Sequence, residues 1–119
     1  IILNEYSKSI NLFISICEIY NIKPVIMTQF NLFNNFEYVK QEYADIYQDD
    51  DQLLKFVEIY NSANNLLREI ALENNIIIID LDKKIPKTTD NFVDAVHLTN
   101  KGSKVVSEIV TESLIKLVK

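Results

Sequence analysis

Between Leu3 and Asn21, apolar side chains fall at Tyr6, Ile10, Phe13, Ile14, Cys17 and Tyr20, a spacing that puts one buried stripe on a helix. Asn21 is placed to stop that helix, and Lys23-Pro24 breaks the period. Pro24 to Gln29 is a short apolar run with polar residues at its end, the pattern of a strand buried on both faces. Residues 30 to 50 lose periodicity, with a short helix expected in part of them. Their aromatic residues, Phe30, Phe33, Phe36, Tyr38, Tyr43 and Tyr47, either line a pocket or anchor a long loop to the core. A long helix follows from about Gln52 to Glu73, carried by Leu53, Phe56, Val57, Tyr60, Ala63, Leu67, Ile70 and Ala71 and ended by Asn74-Asn75. Ile76-Ile77-Ile78-Ile79-Asp80 is a second buried strand, because four β-branched residues between polar boundaries are too short a run for a helix. After a connector containing Pro86, a last helix is expected from a Thr99 cap to about Val118. Its inner face would be Val105, Val106, Ile109, Val110, Leu114 and Leu117.

Helix, strand, helix, strand, helix is the order of a right-handed parallel βαβ unit with flanking helices. A two-stranded parallel sheet has two open edges and is too narrow to cover three helices. The expectation is therefore a larger sheet, completed by sequence outside this chain or by self-association. Ile1 stands where an initiator Met would, so the N-terminus is expected to have been removed, and the usual size of a single domain sets the expectation of roughly one hundred residues before it.

The composition, 48% hydrophobic and 24% charged, is that of a folded chain able to bury about two thirds of its unfolded surface. A net charge of −5 argues against a nucleic-acid partner, which calls for a basic stripe. No apolar run approaches the ~20 residues of a membrane span. The one cysteine, Cys17, cannot form an intrachain disulfide and reads as a small buried hydrophobe. Lys83, Lys84 and Lys87, set among Asp80, Asp82 and Asp90, are expected to form a solvated loop. Asp49-Asp50-Asp51 could suggest a metal site, but adjacent residues point in different directions, so a helix cap with acidic first-turn residues is the expectation. No metal or cofactor is called for.

The chemistry concentrates at Asp94 and His97. His97 is the single histidine, on a loop just before the cap of the last helix. A carboxylate three residues earlier can hold Nδ1, leave Nε2 free as a base and stabilise the imidazolium. Asp-x-x-His alone is a weak pattern. Placed after a strand of an α/β sheet and followed by Leu98-Thr99 and Gly102, it is more specific, because ligands bind beyond the C-terminal strand ends of such sheets.

Asp94-Ala95-Val96-His97-Leu98-Thr99-Asn100-Lys101-Gly102 resembles the C-terminal block of the SGNH or GDSL-type esterases and lipases. The strand Pro24 to Thr28 and the helix before Ile76 to Asp80 also match that family's order. The resemblance covers essentially the whole chain but only the second half of the family's domain. It implies a three-layer α/β/α flavodoxin-like fold, with Asp94 as orienting acid, His97 as general base and a small acyl or acetyl ester as substrate. The departures are specific. The family's nucleophilic serine, oxyanion-hole glycine and asparagine precede the part matched here. The only glycine is Gly102, and Ser7, Ser9, Ser15, Ser62, Ser103, Ser107 and Ser113 all fall in expected helices, not on the sharp strand-to-helix turn a nucleophile needs. The chain alone is therefore expected to be inactive. Two other readings remain: a non-catalytic binding or assembly module using the aromatic loop Phe30 to Tyr47, and, ranked lower, a flavodoxin-like or receiver-type domain.

Overall fold

The computed structural model describes residues 2–42 and 49–118. Tyr43 and Tyr47 of the aromatic loop lie outside the described residues. The order is α1 (Ile2–Ile19), β1 (Val25–Met27), α2 (Phe36–Glu42), α3 (Asp50–Glu73), β2 (Ile77–Ile79), α4 (Leu81–Lys84) and α5 (Asn100–Val118). The strands pair in parallel, Val25 with Ile77, Ile26 with Ile78 and Met27 with Ile79. A mixed α/β chain is thus established, with a two-stranded sheet joined through α3.

Both helices that lead into strands end in the same way. Asn21 and Asn75 adopt left-handed backbone angles, φ 53° and 52°. Ile22 N–H returns to Cys17 O and Ile76 N–H to Ala71 O, each at 2.8 Å, while Asn21 and Asn75 bond back to Glu18 and Leu72. These paired bonds satisfy the last helical carbonyls, and asparagine, of the side chains other than glycine, tolerates this conformation best. At the start of α3, the Asp49 carboxylate accepts from Gln52 N–H at 2.8 Å. The acidic triplet is therefore a cap with Asp50 and Asp51 in the first turn, as its position implied.

One face of the sheet is covered. Ile26, Ile76 and Ile78 pack with Leu67 and Ala71 of α3 and with Tyr6 and Ile10 of α1. Ile14 and Cys17 complete the buried side of α1. The helical periods overstate burial elsewhere. Phe13 on α1, Tyr20 in the turn just after it, and Leu114 and Leu117 on α5 are exposed. Met27, expected in a strand buried on both faces, is 49% exposed. In each case the pattern demands a neighbour that the described residues do not supply.

A second core gathers where the strands end. Phe33, Val39, Leu53 and Ala95 are buried together, with Phe36, Tyr38, Val57, Tyr60 and Val96 around them. Phe33 meets Phe56 and Tyr60 edge-on, with ring centroids 5.6 and 5.0 Å away. The described aromatics of the 30–42 stretch therefore anchor it. A third cluster, Leu32, Ile85 and Phe92 with Leu98, Val105 and Val106, seats α5.

Candidate functional site

The Asp94–His97 segment is the turn of a narrow hairpin. Phe92 and Leu98 form an antiparallel bridge, and Val93 N–H donates to His97 O at 2.8 Å. Inside the turn, Asp94 Oδ1 accepts from the N–H groups of Val96 (2.9 Å) and His97 (2.8 Å). Its other oxygen, Oδ2, lies 2.7 Å from His97 Nδ1. One carboxylate thus folds the loop and fixes the ring. Facing an ionised carboxylate, Nδ1 is the donor of this contact, so in the neutral ring Nε2 is the nitrogen left with the lone pair. Partial burial pushes the Asp94 carboxyl up, but the Val96 and His97 hydrogen bonds outweigh it and hold the group below its ordinary value. The ionised form of Asp94 is therefore favoured beside the ring. The imidazole is 76% exposed, so Nε2 is open to an incoming group.

Two anchors hold this turn against the rest of the chain. Ala95 is buried against Phe33, and its carbonyl accepts from Leu32 N–H at 2.8 Å, tying the hairpin to the loop that follows β1. On the other side, Thr99 Oγ1 caps α5 by accepting from Gly102 N–H at 3.0 Å and donates to Asp90 O at 2.6 Å. Gly102 is buried against the backbone of Asn91, and a Cβ there would lie 2.0 Å from Asn91 O. Thr99 and Gly102 are thus parts of one close helix-to-loop contact. Tyr38 also stands near the turn. Burial pushes its phenol up, and the Glu42 and Asp94 carboxylates add to the shift.

Beside the turn, a polar network joins the C-terminal ends of both strands. Arg68 on α3 makes two bonds of 2.8 Å to Asp80 and a third of 2.8 Å to Asp82. Thr28 bridges them, donating to Asp80 at 3.0 Å and accepting from Asp82 N–H at 2.9 Å. Lys87 donates to Asp82 at 2.7 Å and to Asn31 O, and Asn31 Nδ2 reaches Asp82 at 3.2 Å. The Arg68 guanidinium holds the Asp80 carboxyl down at about 2, chiefly through their hydrogen bonds. Burial raises Asp82, but Lys87 and Arg68 more than reverse it. Lys87, expected in a solvated loop, is only 17% exposed at its side chain, because Asp82 and Asn31 draw it inward. Lys83 and Lys84 are exposed as expected, but they lie on the short helix α4, capped by Asp80, and not in a loop.

Asn64 was hidden in the middle of a long helical period. It is 1% exposed and clamps Gln29 in both directions at 2.8 Å, accepting from its N–H and donating to its carbonyl. A polar residue at an otherwise apolar i, i+3, i+4 position was the one signal in the sequence that could have marked it.

The serines lie where the sequence put them, Ser7, Ser9 and Ser15 on α1, Ser62 on α3 and Ser103, Ser107 and Ser113 on α5. Ser9, Ser15 and Ser113 spend their hydroxyl protons on carbonyls one helical turn back. Among the described residues, no group of three His, Cys, Asp or Glu side chains could hold a metal ion. No helix of the described residues is long and apolar enough to cross a membrane. In comparison with known proteins, no family model matches this chain and no curated protein matches it.

Proposed function

We propose that the chain is the Asp–His half of a serine ester hydrolase of SGNH or GDSL type. Its domain would be a three-layer α/β/α flavodoxin-like fold, completed by polypeptide outside these 119 residues. The observation that carries the proposal is the 2.7 Å contact from Asp94 Oδ2 to His97 Nδ1 beneath an imidazole whose Nε2 side is exposed. In this scheme, Nε2 takes the proton of a serine hydroxyl as its oxygen attacks the ester carbonyl. The imidazolium, stabilised by Asp94, then protonates the leaving alcohol. Water repeats the sequence to release the acid and regenerate the serine. The nucleophile and oxyanion donors come from the completing polypeptide, since the serines described here sit within helices.

The test is hydrolysis of p-nitrophenyl acetate by the parent protein and by the isolated chain. In the parent, His97→Ala should lower kcat by about a thousandfold or more, and Asp94→Ala by a similar order. The isolated chain should show no turnover above its own His97→Ala variant. Unchanged kcat in the parent variants would refute the assignment, and His97-dependent turnover by the isolated chain would refute its dependence on a second segment.

A second reading, a non-catalytic assembly module, is favoured by one feature: Leu12, Phe13, Ile16 and Ile19 form an exposed apolar surface on α1. A parent sequence with a Gly-Asp-Ser motif upstream would count against it.

A further inference from the structure

A concave pocket of about 270 Å³ opens beside the strand ends, lined in part by Asn31, Phe33, Asn34, Asn61, Asp82 and Lys87. Both strands contribute to it: Asn31 comes from the loop after β1, and Asp82 and Lys87 from the segment after β2. This is where open α/β sheets hold ligands. Its volume lies just below the usual range for drug-sized ligands, roughly 300–1,000 Å³, so it suits one small ring.

The pocket's polar groups divide into two kinds. Asp82 and Lys87 are fixed, each with a side chain only 17% exposed and bonded to the other at 2.7 Å. Asn34 and Asn61 are exposed, and each amide can offer two donors and an acceptor to a guest. Phe33 adds an apolar wall and is also packed with Ala95 of the Asp94–His97 turn. Among the pocket's own lining residues the charge balances, Lys87 against Asp82, so an anion would gain little there. Directional donors and acceptors around an apolar wall, with no net charge, match a neutral ring bearing several hydroxyls.

We propose that this pocket binds a single neutral, hydroxyl-rich ring of monosaccharide size. The site stands on its own geometry and does not require the chain to take part in ester hydrolysis.

The experiment is a titration of the isotope-labelled chain with xylose, galactose and N-acetylglucosamine, followed by amide NMR, with sodium sulfate as the anionic control. At least one sugar should shift the Asn31, Asn34 and Asn61 side-chain amides and the Phe33 and Lys87 backbone signals in a saturable way. Asn34→Ala and Asn61→Ala, both at exposed positions that leave the core intact, should each weaken binding about three- to tenfold, the worth of one lost hydrogen bond. Three results would overturn the proposal: no saturable shift with any of the sugars, an equal response to sulfate, or affinities unchanged in both variants. Because the readout is binding by the isolated chain, a failure here leaves the esterase test untouched, and the converse also holds.

Discussion

Asp94 and Asp80 show how the same side chain can be set to different tasks within one small chain. Asp94 uses two oxygens for three contacts, two to the backbone of its own turn and one to His97. The backbone bonds fix the carboxylate within its own turn, and the imidazole it holds is exposed. Asp80 instead faces a guanidinium and a hydroxyl, and it serves to lock β2 to α3 and to the end of β1. Its carboxyl, at 3.8 in an ordinary setting, is held at about 2. A depressed value means that the folded state favours the ionised form. The stabilisation is therefore complete above about pH 4, fades as the pH falls through the interval between those values and is gone below about pH 2. The shift corresponds to about 2 kcal/mol at neutral pH. Urea unfolding of Arg68→Met should show a loss of that order at pH 7 that shrinks steadily toward pH 2. A loss independent of pH would show that Arg68 contributes by packing and not by charge.

At the scale of elements, α5 depends on one small residue. Gly102 is helical and has no need of unusual backbone angles; it is required by the 2.0 Å that would separate a Cβ from the Asn91 carbonyl. The carbonyl is backbone, itself bonded to Thr99 N–H at 3.0 Å, so it cannot swing away cheaply. Gly102→Ala should cost about 3 kcal/mol by urea unfolding, at the upper end for overpacking, despite alanine's better helix propensity. It should also disturb the His97 ring signals in NMR, because the helix start and the hairpin share Asn91 and Thr99. A stable variant with unmoved His97 signals would contradict this coupling. This contact also shows what could be read from sequence. Thr99 and the acidic cap at Asp49 were legible because helix starts obey local rules, whereas Gly102 stood out only through the family resemblance and its contact with Asn91 did not show. Asn21 and Asn75 were legible as stops for the same reason. Arg68 and Lys87 were not, since their partners lie 12 to 14 and 5 residues away on other segments and a charged residue in a helix or loop usually faces water. Asn64 was missed because its partner, Gln29, is 35 residues distant. The turn geometry that makes Asp94 accept three contacts was only half visible. The spacing to His97 was plain, whereas the Val96 and His97 N–H bonds depend on the hairpin closing between Phe92 and Leu98.

The whole molecule is a thin layer, 47 × 35 × 17 Å along its principal axes. Its radius of gyration is 16.1 Å, against about 13.5 Å for a compact domain of this length. Thr28 N–H points across to Ile79 O, so alternation along the strand turns the N–H and C=O of Met27 to the opposite side, off the open edge of β1. No described strand pairs there. The face of the sheet opposite α1 and α3 exposes Met27, and α1 exposes Leu12, Phe13, Ile16 and Ile19. Because α1 lies on the same face as α3, a parallel strand joined to the start of α1 by a right-handed connection would fall on this edge of β1 and not beside β2. Without such a strand, the edge hydrogen bonds and the apolar surfaces beside them favour a second copy. The isolated chain should therefore self-associate at micromolar to millimolar concentration. Sedimentation should give a mass above the 13.8 kDa of one chain. Met27→Lys, a change at an exposed position beside the open edge, should move the population toward monomer while leaving helicity unchanged. Association unaffected by Met27→Lys would place the contact elsewhere, on α1 or α5. A monodisperse, well-folded wild-type monomer would mean that two strands suffice for this chain, and it would remove the physical reason for seeking a completing segment.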